Sequence, residues 1–124
     1  MKGITVLRAG QAEVVETDWG RLTWLASGKL GNSGSMTVGQ CLIRPGKANP
    51  RHSHPNCEEV LYVLAGRIAH TADGGREAEL AVGDVVSVPR NIVHNARNTG
   101  TEDAVLAISF SSPDRQTEGA AGQE

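Results

Sequence analysis

Aromatic residues are scarce in this chain. Trp19, Trp24, Tyr62 and Phe110 are the full set, 3% of 124 residues. A stacking platform for single-stranded nucleic acid needs more of them. Basic clusters are missing as well, and the formal net charge is −2. Attraction to a phosphate backbone or an anionic bilayer therefore has no source, and neither nucleic acid nor membrane is expected as a partner. No apolar run approaches the roughly 20 residues that span a bilayer. The apolar part of residues 1–8 is too short for an export leader. Cysteine is limited to Cys41 and Cys57. Without a leader, both are expected as reduced thiols in a cytoplasmic protein. A helical period is also absent from every window of useful length.

What the chain does contain is a series of short apolar runs between glycine, proline and asparagine turns. Strands are expected at 4–7, 12–16, 22–26, 36–44, 59–65, 67–71, 76–80, 85–88, 94–98 and 104–110. A Gly/Ser/Asn loop fills 28–35, and Asp73-Gly74-Gly75 has the chemistry of a hairpin turn. Many short strands at this spacing indicate an all-β sandwich or barrel. The length suits one domain with a real core, here placed at residues 1–118. The polar composition of 119–124 predicts a disordered tail. Core positions are expected at Val38, Leu42, Leu61, Val63, Val86, Val88, Leu106 and Ile108.

One stretch carries chemistry. His52 and His54 stand one residue apart, and Glu59 follows after a Pro55-Asn56-Cys57 turn. On a strand, residues i and i+2 share a face, with bases roughly 6–7 Å apart. That separation suits two ligands on one ion. Glu59 can swing to the same centre, and His94 reaches it where a third strand passes alongside, as in a barrel. Imidazole and carboxylate together suit one divalent transition-metal ion: Fe, Mn, Ni, Co or Zn. Competing readings are histidines with no shared role, metal-free acid–base catalysis and a nucleophilic Cys57. No residue pairs with Cys57 in an evident orienting role. His70 lies on a strand without an assigned role.

These residues resemble the two motifs of the cupin superfamily. Gly46, His52, His54, Glu59 and Gly66 fill the first at every signature position. Glu58 would leave the wrong distance to Gly66, so Glu59 takes the acidic place. Gly83, Pro89, His94 and Asn98 match the second, with Asn91 standing where the family has glycine. Asparagine tolerates a positive φ better than most residues, so the turn can survive. The resemblance implies a jelly-roll barrel, the double-stranded β-helix. It also implies a metal site of His52, His54, Glu59 and His94. Small cupins are often dimers, with residues 1–8 as an interface strand, and a homodimer is the expected assembly.

The fold does not name the reaction. The expectation is a small metal-dependent enzyme of dioxygenase, isomerase or lyase type, acting on a small oxygenated organic substrate. The alternative is a non-catalytic module that senses or carries a small ligand or metal. Gln40, Tyr62, His70, Phe110 and Arg115 are the candidate pocket residues, and no catalytic residue is assigned. The segment from Phe110 to Arg115 is similar to the end of small cupins that process unsaturated uronates. Ile108 departs from that pattern, which has aspartate there, and Glu59 stands where those proteins carry glutamine.

Overall fold

The structure is a computed structural model, and it describes residues 3–119. Its strands are β1 (Glu13–Glu16), β2 (Gly20–Ala26), β3 (Thr37–Ile43), β4 (His52–Ser53), β5 (Glu59–Ala65), β6 (Ile68–Ala72), β7 (Arg76–Leu80), β8 (Val85–Val88), β9 (His94–Asn98), β10 (Ala104–Phe110) and β11 (Glu118–Gly119). They form a six-stranded sheet in the order β1-β2-β3-β10-β5-β8 and a five-stranded sheet in the order β11-β4-β9-β6-β7. Every strand pair is antiparallel. The two sheets enclose one apolar core, the jelly-roll expected for the all-β class.

Alternation along the strands builds that core. On β10, Ala104, Leu106, Ile108 and Phe110 are buried and the residues between them are only half-buried. Leu61 and Val63 on β5 and Val88 on β8 are buried as expected, and Val86 packs on the core half-buried. Strand β3 departs from expectation. Cys41 and Ile43 face inward, whereas Val38 and Leu42 lie on the outer face. This strand is apolar on both faces, so its period alone does not choose one. The register chooses: Cys41 sits between Leu22 and Leu106, which are themselves buried. Gly39 fills the inward place between Thr37 and Cys41 because Trp24 occupies the space. A Cβ there would come within 2.6 Å of the indole.

Two further expectations are corrected, and one turn is as expected. Residues 4–7 join no strand, and Ile4 is 96% exposed. With no partner strand in the described chain, their apolar pattern has nothing to pair against. Asp73–Gly75 is the hairpin turn expected between β6 and β7, a single 3-10 turn with Gly74 at φ 81°. Gly119, assigned to the tail by composition, pairs with His52. Residues 1–2 and 120–124 lie outside the described part of the chain.

Two features of the barrel bear on function. The outer face of β3, β10, β5 and β8 carries Val38, Gln40, Leu42, Val105, Ala107, Ser109, Val60, Tyr62, Leu64, Val85 and Ser87, with no charged residue. Asn91, at φ 66°, is the one non-glycine residue with positive φ among the described residues. Its N–H donates to the His54 carbonyl at 3.1 Å. The turn therefore keeps the shape that glycine would give it, and delivers β9 beside His54.

Candidate metal centre

His52, His54, Glu59 and His94 converge. One ligand atom from each lies within 4.8 Å of all the others. Their origins explain the convergence. His52 and His94 pair across β4 and β9. Glu59 begins β5, and His54 follows β4 at the turn into it. The strand of the histidine pair ends at Ser53, so His54 approaches from a turn rather than from the strand itself. Glu59 Oε1 lies 3.2 Å from His94 Nε2 and 3.4 Å from His54 Nε2. The His52 ring centroid is 4.6 Å from that of His94 and 5.0 Å from that of His54. None of the four is more than 3% exposed.

Partners on the far side of the rings set their tautomers. His52 Nδ1 meets the Pro50 carbonyl at 2.7 Å, and His54 Nδ1 meets the Gln116 carbonyl at 2.8 Å. A carbonyl only accepts, so each Nδ1 carries the proton and each Nε2 turns a lone pair toward the cluster. His94 Nδ1 meets His70 Nε2 at 2.9 Å.

The donor set fits a cation. His54 Nε2 and both carboxylate oxygens of Glu59 are buried and make no hydrogen bond. Buried polar atoms are normally satisfied, and a carboxyl group sealed from water without donors is costly. A divalent ion among one carboxylate and three imidazoles would satisfy these atoms together.

Of the candidate pocket residues, two meet the cluster and a third, Arg115, lies behind one of them. His70 is buried behind His94. Phe110 is buried with its ring edge-on to His54, centroids 4.9 Å apart. The Arg115 guanidinium stacks 3.6 Å above the Trp24 ring and 5.7 Å from that of Phe110. The other two are elsewhere. Gln40 and Tyr62 both pair with Ala107 on the outer face, and Tyr62 is 42% exposed. An inward Glu59 forces this, because Tyr62 is three residues on and lands on the opposite face.

Sequence reasoning missed the segment that closes the site. Residues 111–119 cross over His54. Asn56 holds them, donating from Nδ2 to the Asp114 carbonyl at 2.8 Å and accepting at Oδ1 from Gln116 N–H at 2.9 Å. Gly28 N–H donates to the Pro113 carbonyl at 2.8 Å. The Asn56 contacts span some 60 residues of chain, so no local spacing announces them. Trp24, the seat of Arg115, was likewise unsuspected. Cys57 is buried, and its thiol is pushed up first by burial and then by the charge of Glu59. That is the reverse of what a nucleophile needs.

A cavity of about 340 Å³ opens between β6, β7 and β8. Its lining includes His70, Asp73, Arg76, Val86 and Ile92, and none of the four clustered residues.

The sequence model of the cupin-domain family matches residues 39–110, from within β3 to the end of β10. The chain belongs to the cupin family. Germin-like protein 3-8 of Oryza sativa subsp. japonica is 33% identical over 85 residues, 65% of this chain and 38% of that protein. Germin-like protein subfamily 2 member 1 of Arabidopsis thaliana is 36% identical over 97 residues, 70% of this chain and 44% of that protein. The cupin thus spans less than half the length of these curated relatives. A mutant of Bacillus subtilis oxalate decarboxylase superimposes with a TM-score of 0.79 at 25% identity, over 87% of this chain and 30% of that one. Another structure of that enzyme, at 24% identity and a TM-score of 0.78 over the same shares of the two chains, concerns its Mn(II) centres. Family and buried cluster together support a cupin that binds a divalent metal.

Proposed function

We propose that His52, His54, Glu59 and His94 hold one divalent transition-metal ion, and that this cupin is an enzyme for a small carboxylate-bearing molecule. The observation behind it is the buried cluster, with the Arg115 guanidinium 5.7 Å from the Phe110 ring that meets His54. Bound there, the ion would act as a Lewis acid on substrate oxygens. The chain's own residues have separable roles. Glu59 and the three imidazoles supply the ligand atoms. Arg115 offers a cation two rings away, held flat on Trp24 so that it is oriented before a substrate arrives. Phe110 and residues 111–119 keep water from the cluster.

The decarboxylase of similar fold acts on oxalate, so small dicarboxylates head the substrate panel, with hydroxy acids, catechols, diketones and unsaturated uronates after them. The test is metal content of protein purified without an affinity tag, then turnover and oxygen uptake by protein loaded with Mn, Fe, Co, Ni or Zn. About one ion per chain is expected, lost in His54→Ala. Protein that carries no metal and binds none of the five below millimolar concentration would refute the site.

A second reading, a non-catalytic sensor or carrier, draws on the closure of the cluster and on a cavity that does not reach it. Metal bound at full occupancy, ligand-dependent stabilisation and no turnover of any panel member would select it.

The expected homodimer finds its support in the uncharged outer face of β3, β10, β5 and β8. Such a face complements another uncharged face, and a second copy of this chain supplies one. We propose this face as a dimer contact, in addition to the interface expected at residues 1–8.

A further inference from the structure

Three imidazoles face the cluster, and their Nδ1 partners differ in kind. For His52 and His54 the nearest partner is a backbone carbonyl, at 2.7 and 2.8 Å, with the Thr117 hydroxyl a longer 3.4 Å from His54 Nδ1. For His94 it is the ring of His70, at 2.9 Å. A carbonyl leaves one arrangement of the proton. An imidazole nitrogen leaves two, because it can accept or donate.

The two arrangements have opposite consequences. If His94 donates from Nδ1, His70 accepts at Nε2, and the Nε2 lone pair of His94 faces the cluster. If His70 donates from Nε2, a neutral His94 carries its proton on Nε2. That proton then points at Glu59 Oε1, 3.2 Å away, and closes the cluster to a cation.

We infer that His70 is the positioning residue for His94, and that its acceptor nitrogen selects the metal-ready tautomer of that ring. The inference rests on the proposed metal site and adds a residue to it that neither motif contains. The surroundings are built for the contact. His70 is only 5% exposed. On its two neighbouring strands it pairs with Ala78 and Ala96, small residues that leave room for the two imidazoles. The ring centroids of His70 and His94 are 5.0 Å apart. His70 also lines the cavity of about 340 Å³, so its ring lies between that cavity and His94. Backbone carbonyls fix the Nδ1 proton of His52 and His54, whereas the His94 Nδ1 contact is to a side chain, which one substitution can change.

The test uses the whole chain with zinc as the probe. Competition against a chelating dye measures zinc affinity of the wild type, His70→Met and His70→Gln. Methionine keeps the bulk and lacks the acceptor, whereas the glutamine oxygen can still accept. The Met variant is expected to bind zinc about 10- to 100-fold more weakly, the usual effect of losing an outer partner, and the Gln variant to recover most of the loss. Equal affinity of wild type and Met, or equal weakness of Met and Gln, would overturn the inference. Should the variants fail to fold, nitrogen-15 NMR of zinc-loaded wild type decides. A coupling across the His94–His70 hydrogen bond with the proton on His94 Nδ1 is expected, and a proton on His70 Nε2 would overturn it. Wild type that does not bind zinc defeats the metal site itself, a separate result.

Discussion

Asn56 is the hinge point between the buried cluster and the segment that covers it. Replacing it with alanine removes two hydrogen bonds to that segment, at 2.8 and 2.9 Å, and a longer one to Ser112 at 3.4 Å. Each good bond contributes about 0.5–1.5 kcal/mol net. The pair therefore contributes about 1–3 kcal/mol to docking residues 111–119, or about 5- to 150-fold in the docked fraction. Contacts that Asn56 does not make remain: Thr37 Oγ1 to the Ser112 carbonyl at 2.8 Å, and the short pairing of β11 with β4. The assay is amide hydrogen exchange. Gly28 N–H, which donates to the Pro113 carbonyl, and the β11 amides report docking without touching Asn56. They are expected to exchange about 5- to 150-fold faster in Asn56→Ala, in step with the loss of docked fraction. Amides of β10 should keep their wild-type rates. Acceleration of β10 by the same factor would mean global loss of stability, and an unchanged Gly28 would mean that Asn56 holds nothing. Either result refutes the reasoning.

The same packing sets other outcomes. Gly39→Ala forces a Cβ to within 2.6 Å of the Thr23 carbonyl oxygen and the Trp24 ring. Overpacking of this kind costs about 1–3 kcal/mol, a fall in Tm of about 4–12 °C by calorimetry; an unchanged Tm would contradict the register of β2 on β3. The Cys57 thiol, raised by burial and by Glu59 above its ordinary 9.0, holds its proton more tightly folded than unfolded. Its contribution to stability is thus present below pH 9.0 and shrinks as pH rises through the folded value. Iodoacetamide at about pH 8, just below the ordinary thiol range, should label it more slowly than a free cysteine, and labelling at the free rate would place it in an open, ionised setting. Tyr62→Lys puts a charge at the centre of the uncharged sheet face and is expected to give monomers by light scattering where the wild type is dimeric. A dimer unaffected by the change would move the contact elsewhere.

Much of the site was legible because its spacing is local. His52 and His54 are two apart on an extended segment, and Glu59 follows one turn later, so the first motif reads directly from the chain. The second motif holds His94 at a fixed distance from the turn at Asn91, whose positive φ the sequence anticipated. Outside the motifs, legibility fell where a strand is apolar on both faces. Period 2 says which residues of β3 share a side, but not which side faces in, and Val38 and Leu42 were placed wrongly for that reason. Nor does the sequence set the facing of Gln40 and Tyr62. Their register with Ala107 takes them to the outer surface.

By itself, the sequence determined the strand-rich class, the position of most strands and the identity of the four clustered residues. Those follow from alternation, turn chemistry and the short reach of a chain between neighbouring residues. Tertiary structure decided what those residues touch. The proton of His54 is set by Gln116, 62 residues away, and that of His94 by His70, 24 residues away on a strand that pairs with its own. Arg115 meets Trp24 because residues 111–119 fold back over His54. Such contacts depend on register and closure, which are properties of the whole barrel. No stretch of sequence holds them until both sheets are in place.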